Sequence, residues 1–106
     1  MTKILITGAS GMVGKHLVDM CLDKGYYVRG TDIRYDDRYE DARYDGFEFY
    51  QADLRDFDDC KNVVVDMDVV FHVAGVKGSP KRAAEQPNDY FTPMLQMNTN
   101  MAEAAR

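Results

Sequence analysis

The chain alternates short apolar runs with longer segments in which apolar residues recur at helical spacing. Short apolar runs bounded by turn residues are typical of buried strands, and a spacing of three or four residues is typical of amphipathic helices. The pattern predicts, in order, strand 3–7, helix 12–24, strand 26–32, a loop, strand 47–51, helix 56–66, strand 68–73, a loop and helix 88–106. Strands that alternate with helices imply an α/β fold with a parallel sheet, here of about four strands with flanking helices.

Four details of the pattern carry structural expectations. Strand 68–73 is apolar almost throughout, as expected for a strand covered on both faces. The stretch 34–45 mixes tyrosines with charges of both signs, which predicts a solvated excursion rather than a binding loop. Cys21 and Cys60 lie in helical patterns and are expected to be small buried hydrophobes. His72 lies within a strand and is interpreted as a hydrogen-bonded core histidine, and no metal site is expected.

Composition narrows the class of protein. A chain of 106 residues allows one compact domain, 1–106, and its 45% apolar content is globular. A net charge of −5, with a pI near 4.8, argues against nucleic-acid or anionic-membrane partners. The sequence shows neither a long apolar run nor a signal peptide, so a cytoplasmic location without membrane association is expected.

Between the first strand and the first helix lies the sequence Thr7-Gly8-Ala9-Ser10-Gly11-Met12-Val13-Gly14, which we call the phosphate loop. A glycine-rich bend that leaves a strand and opens a helix binds phosphate through the first N–H groups and the dipole of that helix. Gly8 allows the sharp turn, Gly11 lets the backbone approach a pyrophosphate, and Gly14 lets the helix pack close to its strand. The predicted phosphate-binding residues are Gly8, Ser10, Gly11, Met12, Val13 and Gly14.

The strand after the phosphate loop ends in the carboxylate of Asp32. In dinucleotide-binding βαβ units, an acidic residue about 20 residues beyond the glycines accepts hydrogen bonds from the adenosine ribose. The same carboxylate repels and crowds a 2′-phosphate, so NAD is predicted in preference to NADP. Arg34 is the only nearby cation expected to be able to reverse this preference. Together these features predict a Rossmann-type, partial doubly wound fold that binds a dinucleotide.

Two later segments follow strands at the same predicted edge of the sheet. Asp53 can accept from an adenine amino group while the Leu54 N–H donates to a ring nitrogen, or Asp53 caps the next helix instead. Ala74 and Gly75 leave room for a ligand across the end of strand 68–73. Lys77 either places an ammonium near phosphate or ribose oxygens or is an ordinary surface lysine. We include all five among the candidate cofactor residues.

These motifs resemble the extended short-chain dehydrogenase/reductase superfamily, and within it the NAD-dependent nucleotide-sugar epimerases and dehydratases. Residues 7–14 match the TGxxGxxG pattern, Asp32 matches the ribose carboxylate, and Asp53-Leu54 match the adenine pair. Segment 71–77 is similar to that of UDP-galactose 4-epimerases, in which a lysine contacts the cofactor. Residues 103–106 are similar to the end of the family's Asn-x-x-Glu-Ala-Ala helix.

The chain departs from the family's pattern in two places. Met94 falls where the family usually carries a cofactor-side asparagine, and Asn98 replaces it only in a different register. The family's chemistry comes from a Ser/Thr and a Tyr-x-x-x-Lys, whereas none of the seven tyrosines here is followed by lysine four residues later.

The resemblance therefore implies the NAD-binding portion of an epimerase/dehydratase-type oxidoreductase, truncated before the catalytic motif and the substrate domain. Such a portion contains no catalytic residues and is expected to be inactive alone. It would meet a nucleotide-sugar substrate only within a full-length parent. The alternative is a stand-alone NAD-binding or partner-dependent regulatory module.

Strand 68–73 is expected beside the first strand with its other edge open. Neither proline nor an inward charge protects the middle of this apolar run. Such an edge invites pairing with another chain. A homo-oligomer is therefore predicted, most simply a two-fold dimer through strand 68–73 or helix 88–106.

Overall fold

The computed structural model describes residues 1–74 and 87–106 of the chain. Its strands are β1 (Lys3–Thr7), β2 (Tyr27–Asp32), β3 (Glu48–Gln51) and β4 (Val69–His72), and its helices are α1 (Met12–Asp23), α2 (Phe57–Val63) and α3 (Pro87–Ala104). Two short 3₁₀ helices, Asp37–Glu40 and Ala42–Tyr44, lie between β2 and β3. The strands form one parallel sheet in the order β3-β2-β1-β4. The predicted α/β fold and all seven predicted elements are confirmed.

The register of the sheet brings the strand ends to one edge. Thr7, the last residue of β1, lies opposite Thr31 of β2 and His72 of β4. Asp32 in turn lies opposite Gln51, the last residue of β3. Because ligands of open α/β sheets bind outside the carboxyl ends of the strands, this edge is where a cofactor site belongs.

The core consists of two layers, one on each face of the sheet. Successive residues of a strand point to opposite faces, so Ile4 and Ile6 pack with Val18 on the α1 side while Leu5 packs with Val63 on the side of α2 and α3. Cys21 and Cys60 are free and buried, as predicted. Burial raises the pKa of the Cys60 thiol to about 11, so this cysteine remains a neutral, unreactive core residue.

Helix α2 ends at Val63, three residues before the predicted boundary. The guanidinium of Arg29, which projects from β2, donates from Nη1 to the carbonyls of Val63 and Val65, at 2.9 Å each. Its Nε donates to Glu48 at 2.8 Å. The last carbonyls of a helix need partners from outside the helix. A strand residue supplies them here, which helical periodicity does not reveal.

Strand β4 differs from the prediction that both of its faces are covered. Val69, Phe71 and Val73 are 39%, 40% and 38% exposed. They lie on the face of Ile4 and Ile6, where α1 packs over β1 and β2. Among the strands of the described residues, β4 pairs only with β1, which confirms its predicted neighbour.

The prediction of a solvated excursion over 34–45 is wrong for three residues, since Asp36, Tyr39 and Tyr44 are buried. The ring of Tyr39 packs against those of Phe47 and Tyr44, with centroid separations of 4.6 and 4.8 Å. A tyrosine ring is largely apolar and becomes core once its hydroxyl finds a partner. The charges that predicted solvation belong mostly to the neighbouring exposed residues of the excursion.

Candidate functional site

The three glycines of the phosphate loop have different structural roles. Gly8 has φ +68°, which favours glycine, and a Cβ there would lie 2.8 Å from the Ala74 Cα. A Cβ on Gly14 would lie 2.0 Å from the Gly8 carbonyl oxygen. At Gly11 the nearest such atom is the Gly8 oxygen at 3.4 Å, an ordinary contact. Gly8 and Gly14 therefore shape the loop, and Gly11 leaves its outer side open.

Helix α1 begins directly after Gly11, which has an extended conformation and offers no capping side chain. The N–H groups of Met12, Val13 and Gly14 belong to the first turn, where no intrahelical carbonyl is in reach. The positive end of the helix dipole adds to their attraction for an anion. The Ser10 hydroxyl oxygen is buried, and no described residue meets it in hydrogen-bond geometry, although this hydroxyl lies near enough to Asp36 to help lower the pKa of that carboxyl. These unused polar groups fit the phosphates of a dinucleotide.

The structure places Asp32 directly against the phosphate loop. Its Oδ2 accepts the N–H of Ser10 at 3.0 Å, and its Oδ1 accepts the N–H of Ile33 at 2.8 Å. Each carboxylate oxygen has a second lone pair, so both can also accept a ribose hydroxyl. The predicted ribose carboxylate and the predicted phosphate loop are therefore brought together.

A cation that the sequence interpretation missed also contacts the phosphate loop. Arg38 Nη2 donates to the Ser10 carbonyl oxygen at 2.9 Å and to Asp36 Oδ2 at 2.6 Å. Hydrogen bonds from Arg38 lower the pKa of Asp36 to about 2, so the two side chains form an ion pair at neutral pH. The prediction that Arg34 is the only nearby cation is therefore wrong. The spacing Asp36-x-Arg38, shortly after the strand that ends at Asp32, is the sequence signal that could have indicated this ion pair.

At the end of β4, a chain of hydrogen bonds joins three elements. The Ala74 N–H donates to Thr7 Oγ1 at 3.1 Å. His72 Nδ1 lies 2.7 Å from Thr7 Oγ1, and His72 Nε2 lies 2.7 Å from Asn98 Oδ1. An amide oxygen only accepts, so in this arrangement His72 Nε2 donates to Asn98 Oδ1. His72 is thus hydrogen-bonded as predicted, although it is half-buried rather than a core residue.

The same contacts place Ala74 beside Gly8 and bring Asn98 of α3 to this edge of the sheet. The sequence predicted Asn98 at the cofactor site only if the helix had a different register. Its partner, His72 of β4, cannot be identified from the helix motif alone. Gly75 and Lys77 lie outside the described residues.

Asp53 and Leu54 lie one strand further along the same edge, just after β3. The cap of α2 is Asp56, so the alternative that Asp53 caps this helix is wrong. Asp53 instead pairs with Arg55 at 2.7 Å, and hydrogen bonds from Arg55 lower the pKa of the Asp53 carboxyl. Leu54 is buried, and its carbonyl accepts the Asn100 amide at 3.1 Å, which attaches α3 to this corner.

Within residues 1–74 and 87–106, no group of three or more His, Cys, Asp or Glu side chains could hold a metal ion. None of the helices there is long and apolar enough to cross a membrane. The arrangement suits the binding and orientation of an anionic nucleotide.

Comparisons with known proteins point to the same kind of site. The family model described as "NAD dependent epimerase/dehydratase family" matches residues 4–106. The chain is 32% identical to Protein CapI of Staphylococcus aureus, covering 98% of this chain and 34% of that protein. It is 34% identical to the UDP-glucose 4-epimerase of Mycolicibacterium smegmatis, with the same shares covered.

Among solved structures, the chain resembles the UDP-glucose 4-epimerase of Thermus thermophilus, which was determined in complex with NAD. The TM-score is 0.80 at 28% identity, and the match covers 97% of this chain and 33% of that one. The chain thus spans about a third of the length of each of these relatives.

Proposed function

We propose that this chain, which belongs to the NAD dependent epimerase/dehydratase family, binds NAD with its pyrophosphate on the phosphate loop and its adenosine ribose on Asp32. The observation that carries the proposal is the 3.0 Å hydrogen bond from the Ser10 N–H to Asp32 Oδ2. It holds a ribose-binding carboxylate beside a helix N-terminus whose N–H groups favour an anion. The whole of 1–106 is one NAD-binding domain in this proposal.

Each candidate residue has a defined task in the proposed complex. The N–H groups of Met12 and Val13 and the Ser10 hydroxyl donate to the pyrophosphate, which approaches over Gly11; Gly8 and Gly14 keep the loop in shape. Asp53 and Leu54 recognise the adenine. Ala74 and Gly75 leave space for the cofactor across the end of β4, and Lys77 offers an ammonium to its phosphate or ribose oxygens.

Bound NAD accepts and returns hydride at its nicotinamide ring, and the protein binds and orients it. The proposed whole protein is an epimerase/dehydratase-type oxidoreductase acting on a nucleotide sugar. Support comes from relatives named as a UDP-glucose 4-epimerase and a GDP-mannose 3,5-epimerase. Because the sequence contains no Tyr-x-x-x-Lys, the 106-residue chain alone binds the cofactor without turning over a sugar.

NAD is the preferred cofactor in this proposal. A 2′-phosphate would meet the negative charge of Asp32, and like charges at short distance repel. Arg38 is the cation closest to the loop that we identify, but its guanidinium is already paired with Asp36 at 2.6 Å. The charge of Arg38 is therefore already balanced by a carboxylate and offsets little of the repulsion between Asp32 and a 2′-phosphate.

The proposal is tested by titrating the chain with NAD and with NADP in a calorimeter. We expect NAD to bind more tightly, and we expect no epimerisation or hydride transfer when a panel of UDP- and GDP-sugars is added to the NAD complex. Tighter binding of NADP would contradict the role of Asp32. Robust turnover by the pure chain would contradict its assignment as a cofactor-binding portion only.

The exposed face of β4 favours a second component of the proposal, self-association. Val69, Phe71 and Val73 form an apolar strip next to the outer edge of this strand, and such edges pair readily with other chains. We expect a homo-oligomer, most simply a two-fold dimer through β4 or α3. Light scattering after size exclusion, across a dilution series, measures this. A monomer at every concentration would contradict it.

A further inference from the structure

The excursion between β2 and β3 is anchored on the sheet and on α1 independently of any ligand. Tyr39 stacks on Phe49 with centroids 5.6 Å apart and is itself almost completely buried. Tyr44 accepts from Lys15 and donates to Asp19, at 2.7 Å each, which fastens the second 3₁₀ helix to α1. The excursion is therefore a fixed part of the fold.

From this fixed position, two consecutive residues bind two consecutive carbonyls of the phosphate loop. The Tyr39 hydroxyl donates to the Ala9 carbonyl at 2.5 Å, in a buried hydrogen bond. Arg38 Nη2 donates to the Ser10 carbonyl at 2.9 Å. Burial raises the pKa of Tyr39, so its phenol is protonated and available as a donor at every physiological pH.

The opposite ends of the same two peptide groups are also bound. In a trans peptide the C=O and the following N–H point in opposite directions within one plane. The Ser10 N–H donates to Asp32 Oδ2 at 3.0 Å, and the Gly11 N–H donates to the Gly8 carbonyl at 3.0 Å. The peptide groups 9–10 and 10–11 are therefore each held at both ends.

Close packing against β2 also supports the phosphate loop. A Cβ on Gly30, in β2, would lie 2.5 Å from the Phe47 ring and 2.8 Å from the Ala9 Cβ. Gly30 therefore lets the aromatic ring and the phosphate loop sit against the same point of β2. The Tyr39 hydroxyl reaches Ala9 from this packed layer.

We propose that Tyr39, assisted by Arg38, is a positioning residue that fixes the phosphate loop in its anion-binding conformation before the cofactor arrives. The inference rests on the proposed binding of NAD at this loop. Two fixed peptide planes direct the chain into α1, so that the first N–H groups of that helix converge on one anion. A loop that is already ordered loses less conformational freedom on binding, which raises affinity without adding a contact to the ligand.

The test compares Tyr39→Phe with Tyr35→Phe. Both changes remove one hydroxyl from the same excursion, but the Tyr35 hydroxyl is exposed and donates to Glu40 within the excursion, whereas that of Tyr39 contacts the loop. Each variant of this 12.1 kDa chain is titrated by NMR with NAD and with adenosine, which carries no phosphate. We expect Tyr39→Phe to weaken NAD about 3- to 10-fold, the effect of one hydrogen bond, and to leave adenosine unchanged. Tyr35→Phe should change neither affinity.

Amide hydrogen exchange without any ligand gives a second, independent readout. Tyr39→Phe should speed the exchange of the Ser10 amide, and Arg38→Met, at an exposed side chain that leaves the aromatic layer intact, should speed that of Gly11. Equal losses for NAD and adenosine, or unchanged exchange in both variants, would overturn the positioning role. If the original chain fails to bind NAD while the exchange rates respond, the loop is positioned as inferred and the proposed cofactor is wrong.

Discussion

Gly14→Ala is expected to destabilise the chain by about 2–3 kcal/mol, in the upper range for overpacking. The new Cβ would lie 2.0 Å from the Gly8 carbonyl oxygen and 2.7 Å from its carbon. Both are backbone atoms, so no side-chain rotation relieves the clash. The sign is diagnostic, because Gly→Ala inside a helix normally stabilises by about 0.5–1 kcal/mol. Thermal unfolding should show a midpoint lower by roughly 10 °C or more.

Gly11→Ala is the matched control for this prediction. Gly11 has φ −76°, which any residue adopts, and its Cβ would come no closer than 3.4 Å to the Gly8 oxygen. The unfolding midpoint should therefore stay close to that of the original chain, while NAD affinity falls roughly tenfold or more because the methyl group occupies the approach to the backbone. Equal destabilisation by the two variants would contradict the separate roles assigned to these glycines.

The sequence predicted the strands and helices well because those features depend on short-range patterns. Apolar runs such as Lys3–Thr7 fix the strands, and the alternation of strands and helices fixes a parallel sheet. The sharp turn at Gly8 and the close packing at Gly14 could be predicted for the same reason, since the glycines recur at every third position of one short segment and these two roles follow from backbone sterics. The family assignment from these motifs is confirmed by the family model that covers residues 4–106.

The features that the sequence did not reveal are contacts between distant residues. Tyr39 was interpreted as solvated because charges surround it, yet it binds the Ala9 carbonyl, 30 residues away in the chain. Arg29 of β2 donates to the carbonyl of Val63, the last residue of α2, and Asn98 contacts His72, 26 residues away in the chain. The charged composition of the surrounding segment reflects the exposed neighbours of such a residue and not the residue itself. Only the folded structure shows which hydrogen-bond partner each of these side chains reaches.

Asp32 has two roles in the proposed site, which a single substitution separates. Its carboxylate accepts the N–H groups of Ser10 and Ile33, and in the proposal it also accepts the ribose hydroxyls. Asp32→Asn keeps the size of the side chain and one acceptor oxygen, so the strand end and part of the loop contact survive. The negative charge is lost, and with it the strongest acceptor available to the ribose and the group that repels a 2′-phosphate.

We expect Asp32→Asn to weaken NAD by about 1.5–3 kcal/mol, the range for hydrogen bonds to a charged group, which corresponds to roughly 10- to 150-fold in Kd. NADP should lose less, because the variant no longer repels its 2′-phosphate, so the preference for NAD should narrow. Calorimetric titration of both cofactors measures the ratio directly. Asp23→Asn, at an exposed aspartate at the far end of α1, is the control and should leave both affinities unchanged. An unaltered NAD-to-NADP ratio in Asp32→Asn would remove Asp32 from cofactor selection, and Arg38, bound to Ser10, would then be the next residue to test.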